Sequence, residues 1–110
     1  MAATGNIELI DAMGAMMALE GRALNNVAQQ KGVWFPKGAA LFIWAPTMNL
    51  GRQQWGRFGE SISEDPYLLG LYSSRMVKAL QGNGSHYLAL AATCKHFAAY
   101  SLEGIEIDGH

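Results

Sequence analysis

The first apolar positions of the chain recur at helical spacing. Ile10, Met13, Met17, Leu24 and Val27 are separated by steps of three, four and seven residues. This predicts a helix from Ile7 to about Gln30. Asn6 stands where a cap belongs, and Glu8 puts a carboxylate in the first turn. Lys31-Gly32 ends the helix. Leu41-Phe42-Ile43-Trp44 then forms a short apolar run between Gly38 and Pro46, the pattern of a buried strand in a parallel sheet. From Asn49 to Pro66 the chain is polar and without period, which predicts a long loop. Asp65-Pro66 opens a second helix, with Leu68, Leu69, Tyr72, Met76 and Leu80 on its face and Gly82 at its stop. Leu88 to Cys94 reads as a second buried strand and runs straight into Lys95-His96-Phe97. Ser101 to His110 is polar. The order helix, strand, loop, helix, strand predicts an α/β fold with parallel strands.

Composition narrows the class. Half of the 110 residues are hydrophobic and 15% are charged, which excludes a disordered tail and allows at most one small domain. Eight basic residues against nine acidic ones give a net charge of -1. That balance gives no electrostatic reason to expect nucleic acid or an acidic membrane as partner. The single cysteine, Cys94, excludes an internal disulfide framework and a multi-cysteine zinc site, and it fits any compartment. No apolar run reaches the roughly 18 residues of a membrane span. The first residues, Met1 to Gly5, show no basic start and no apolar core of a secretory signal. The compartment is therefore unknown.

Candidate chemistry lies mostly at the predicted strand ends. Arg52 and Arg57 follow the first strand, and Lys95 and His96 end the second. In α/β folds ligands bind at that edge. Both Lys and His suit hydroxyl groups or carboxylates. Strand alternation would turn Lys95 and His96 to opposite sides, so both line one mouth only if the backbone bends there. The plain alternative is a solvent-exposed lysine beside a structural histidine. Trp55 could merely cover the loop, and Glu64-Asp65 could merely cap the helix. Glu20 falls on the apolar seam of the first helix, where a buried carboxylate needs a partner. His86, His96 and His110 do not form a metal-ligand spacing, and Ser61, Ser63 and Cys94 lack an ordered nucleophile-base context. Asn83-Gly84-Ser85 reads as a turn, and it also fits the short glycosylation acceptor pattern.

Three ordered motifs then carry a resemblance. They are Trp44-Ala45-Pro46-Thr47-Met48-Asn49-Leu50, Trp55-Gly56-Arg57 continuing to Glu60 and Glu64-Asp65-Pro66, and Lys95-His96-Phe97. Their residues and spacing resemble glycoside hydrolase family 3, and Leu19-Glu20-Gly21-Arg22-Ala23 is similar to a segment of that family's preceding helix. The similarity runs from about Ile10 to Asp108. Tyr100-Ser101-Leu102-Glu103 and the first motif resemble the β-xylosidase and α-arabinofuranosidase branch most.

The resemblance implies a (β/α)8 barrel, of which residues 1–110 would form about two βα units, and retaining hydrolysis of terminal β-linked O-glycosyl bonds, of xylosidase or glucosidase type. It implies sugar-binding roles for Arg57, Lys95 and His96, a carbohydrate partner of xylo or gluco configuration, the remaining parts of the parent barrel as further partners, and no cofactor. It implies structural roles for Glu60, Glu64 and Asp65. The catalytic pair of such a site, an aspartate nucleophile and a glutamate acid/base about 5 Å apart, has no counterpart here, so the chain alone is expected to be inactive. Two departures stand out. Arg52-Gln53-Gln54 is one residue shorter than the family's segment before Trp-Gly-Arg, and Asp108-Gly109-His110 replaces an Asp-Arg pair. The competing reading is a non-catalytic sugar-binding or interaction module built on the same residues.

Overall fold

A computed structural model describes residues 2–33, 40–84, 86–98 and 100. Helix α1 spans Ile7–Gln30, strand β1 Phe42–Ile43, helix α2 Pro66–Gln81 and strand β2 Ala91–Ala92. The strands pair in parallel, with Phe42 opposite Ala91 and Ile43 opposite Ala92. The α/β alternation and the strand direction are those the pattern predicts.

The helix ends follow local chemistry. The Asn6 side chain accepts a hydrogen bond from the Leu9 N–H at 3.1 Å, and the Asp65 carboxylate accepts one from the Leu68 N–H at 2.7 Å. Each satisfies a donor that the first helical turn leaves open. Pro66 needs no such partner, and it occupies the first turn of α2. Gly82 closes α2 at a φ of +80°, where a side chain would be strained.

The buried face of α1 differs from the predicted seam. Ile10, Gly14, Ala18 and Ala28 are buried, while Leu24 and Val27 are exposed. Close approach explains the difference. A Cβ on Gly14 would lie 2.6 Å from the Ala79 Cβ, and one on Gly21 would lie 3.1 Å from Leu90 Cδ1. At these two points, where α2 and the entry to β2 come closest to α1, a side chain has little room, so Leu24 and Val27 fall to the flank while Ile10 still reaches the core. Glu20 is exposed, so its position on the apolar pattern calls for no buried partner. Ile10, Ala18, Tyr72, Met76, Leu80 and Leu90 form the core.

Both regular strands are shorter than predicted, and neither is fully buried. Leu41 and Ile43 pack against the core, whereas Phe42 and Trp44 are 48% and 69% exposed. Successive strand residues face opposite sides, and the helices cover one of them. Leu88 and Cys94 are exposed too. An isolated parallel bridge between Thr47 and Lys95 carries the pairing past the strand ends. Arg22 fastens α1 to the approach of β2, with its Nε donating to the Ala89 carbonyl at 3.1 Å and its Nη2 to that of Leu88. No helix among the described residues is long and apolar enough to cross a membrane.

Candidate functional site at the strand ends

The loop after β1 and the exit of β2 meet at one carboxylate. Glu60 sits at the end of a short 3-10 turn, Phe58–Glu60. Its Oε1 accepts from Arg57 Nε at 2.7 Å, and its Oε2 accepts from Lys95 Nζ at 2.7 Å. His96 Nε2 lies 3.4 Å from the same Oε2. Lys95 and His96 therefore converge instead of diverging, and the peptide bond between them is cis. Both are largely covered, their side chains retaining 24% and 11% of their exposure. The surface-lysine reading of Lys95 is thus set aside. The Arg57 guanidinium, and after it the Lys95 ammonium, hydrogen-bond the Glu60 carboxylate and hold it well below its ordinary 4.5, at about 2.

Asn49 is the second organising residue. It is buried, its Oδ1 accepts from the His96 N–H at 2.7 Å, and its Nδ2 donates to the Phe97 carbonyl at 2.9 Å. Phe97 has a φ of +98° and stands almost wholly exposed. A bulky residue in that conformation carries strain of roughly 1–3 kcal/mol, which the surrounding contacts must hold. Ser61 adds a tie across the loop, its Oγ donating to the Asn49 carbonyl at 2.9 Å. Trp55 does more than cover the loop. It is 2% exposed and meets the His96 ring edge-on, with centroids 5.8 Å apart.

Beside this cluster lies an open cleft of about 570 Å³, lined by Met48, Asn49, Leu50, Arg52, Cys94 and Lys95, among others. A smaller depression of about 300 Å³ lies between Trp44 and Phe97, over Lys95 and His96. Hydrogen-bond donors fixed at the edge of a cleft with aromatic walls can grip a polyhydroxylated ligand. Residues 1–108 match the sequence profile of the glycosyl hydrolase family 3 N-terminal domain. The chain belongs to glycosyl hydrolase family 3.

Three of the curated relatives that the chain matches are named as xylosidases, one of them also as an arabinofuranosidase. Beta-D-xylosidase 3 of Arabidopsis thaliana is 37% identical over 106 residues, which is 93% of this chain and 12% of the relative. Beta-xylosidase/alpha-L-arabinofuranosidase 2 of Medicago sativa subsp. varia is 36% identical over 107 residues, or 94% of this chain and 13% of the relative. A probable exo-1,4-beta-xylosidase of Aspergillus clavatus is 38% identical over 98 residues, or 87% of this chain and 12% of the relative. The chain spans about an eighth of the length of these curated relatives. No solved structure gives a significant match.

The structure brings Arg57, Lys95 and His96 of this family 3 chain onto Glu60. Arg52 is apart from that cluster, exposed at the cleft wall. Glu64 is exposed and Asp65 caps α2. Sequence reasoning gave Glu60 only a structural role and gave Asn49 none. The signals were present: Glu60 stands three residues after Arg57, the reach of one helical turn, and Asn49 ends the Trp-Ala-Pro motif. Ser85 of the Asn83-Gly84-Ser85 pattern lies outside the described residues, as do 101–110, which hold the Ser101-Leu102-Glu103 and Asp108-Gly109-His110 segments.

Proposed function

We propose that this chain is the sugar-gripping part of a retaining β-glycosidase, of the xylosidase or glucosidase type, acting in carbohydrate metabolism. The observation that carries the reading is the convergence of Arg57, Lys95 and His96 at the C-terminal ends of two parallel strands. Arg57, Lys95 and His96 hold ring hydroxyls of a terminal xylo- or gluco-configured residue. Such bonds strengthen as positive charge develops on the ring in the transition state.

The chain alone has no turnover in this reading. A general acid works with a pKa near the operating pH, and Glu60 ionises at about 2. Its two oxygens are also occupied by Arg57 and Lys95, which suits neither a proton donor nor a nucleophile. The two βα units belong to a larger (β/α)8 barrel. The exposed faces of Phe42, Trp44, Leu19 and Leu24 support this, because apolar surface of that extent calls for covering neighbours.

The test is a titration of the purified chain with methyl β-D-xyloside, followed by NMR, beside an assay with nitrophenyl β-xyloside. Expected are shift changes confined to the surroundings of Arg57, Lys95 and His96, and no nitrophenol above background. Perturbation elsewhere overturns the site, and turnover overturns the inactive chain. A stable monomer that binds the sugar would replace the barrel part by a non-catalytic sugar-binding module.

A further inference from the structure

Among the described residues Glu60 is the side chain that joins the charged tips of Arg57 and Lys95 across loop and strand exit, and the sugar reading leaves it without a task. We infer that Glu60 is a positioning and specificity residue: it gathers Arg57, Lys95 and His96 into one frame and cancels enough of their charge that the cleft takes a neutral sugar rather than an acidic one. This rests on the sugar-binding reading of the cluster.

The geometry supports positioning over direct contact. Oε1 is occupied by Arg57 Nε at 2.7 Å and Oε2 by Lys95 Nζ at 2.7 Å, with His96 Nε2 at 3.4 Å. Arg57 and Glu60 belong to the loop after β1, while Lys95 and His96 leave β2. A single carboxylate thus fixes the distance between two segments that the chain places 35 residues apart. Asn49 and Trp55 also reach His96 from the loop, but they touch neither the Arg57 guanidinium nor the Lys95 ammonium in the bonds described. The Thr47–Lys95 bridge and the Met48 N–H bond to the Lys95 carbonyl hold the backbones, not the charged tips.

The charge balance supports specificity. Arg57 and Lys95 both bring positive charge to the cluster, and Arg52 stands at the wall of the adjoining cleft. Two cations side by side repel, and together they would favour a carboxylate or phosphate. Glu60 removes one unit of that charge. Because Arg57 and Lys95 keep it ionised down to about pH 2, the cancellation holds throughout the range in which proteins work. A neutral polyol, which offers hydroxyl oxygens without net charge, then competes better against an acidic ligand than it would beside the uncompensated pair.

The experiment compares the full 110-residue chain with Glu60→Gln and Lys95→Ala, titrating each with methyl β-D-xyloside and with methyl β-D-glucuronide. The Arg57 Nε–H resonance and the circular dichroism of α1 and α2 are followed alongside. In Glu60→Gln we expect the Arg57 resonance to shift, xyloside affinity to fall about tenfold or more, and the glucuronide-to-xyloside preference to rise, with helicity unchanged. An unchanged preference, or lost xyloside binding with the Arg57 resonance unmoved, overturns the inference, the latter because Glu60 would then touch the sugar itself. If Glu60→Gln binds as the parent while Lys95→Ala does not, the inference fails and the sugar site stands. If the parent binds neither ligand, the sugar site fails and the role of Glu60 falls with it.

Discussion

The contact of α1 with α2 and the cluster at the strand ends are held by opposite means. At the helix crossing the chain removes side chains. Gly14 lies so near Ala79 that a methyl group has no room, and stability comes from packing around Tyr72, Met76 and Leu80. At the strand ends the chain adds polar groups. Glu60, Asn49 and Ser61 tie loops together through charges and hydrogen bonds, Asn49 from a buried position and the Glu60 ion pairs from a rim that water still reaches. The first region sets whether the chain folds. The second sets how a few donors are aimed, and it contributes little to folding because exposed ion pairs are screened.

Substitutions should separate the two regions. The largest effect belongs to the crossing. Gly14→Val should lower stability by about 3 kcal/mol, since overpacking at a site with no void forces the helices apart. The midpoint of urea unfolding measures it, and an unchanged midpoint would mean the helices do not meet at Gly14.

Arg22→Ala comes next. It deletes donors to the Leu88 and Ala89 carbonyls, and roughly 1–2 kcal/mol should be lost by the same measurement. Asp65→Ala should cost about 1 kcal/mol through the lost cap of α2, while Asp65→Asn should be close to neutral.

The smallest effect on stability is at Glu60. Its folded pKa is about 2 against an ordinary 4.5, so its contribution is present above pH 4.5 and fades as the pH falls towards 2. Stability measured across that interval should fall more steeply for the parent than for Glu60→Gln, and equal slopes would break the assignment. If Glu60→Gln instead proved as damaging as Gly14→Val, the contrast between folding seam and aiming cluster would collapse.

Legibility in the sequence follows the same division. Helix ends were readable because caps act over three or four residues: Asn6, Asp65-Pro66 and Gly82 all mark real boundaries. The buried face of α1 was misread because periodicity favours large apolar residues. The close approach at Gly14 and Gly21 reverses that preference, and the partner surface comes from Ala79 and Leu90, far along the chain. Arg57, Lys95 and His96 were singled out through motif resemblance and their place after strands, and the structure brings them together around Glu60. The bonds of Asn49 to His96 and of Glu60 to Lys95 span 47 and 35 residues, so the sequence alone showed only the local Arg57–Glu60 spacing.

By itself the sequence determined the α/β alternation, the helix limits and family membership, since these rest on local propensity and on ordered motifs. Only the tertiary structure decided which face of α1 is buried and that Lys95 and His96 turn to the same carboxylate. It alone also showed that Phe42 and Trp44 stand uncovered on one side of the sheet. The physical reason is distance along the chain. A cap or a strand acts between neighbours, whereas a close crossing or a shared carboxylate exists only once remote segments have met.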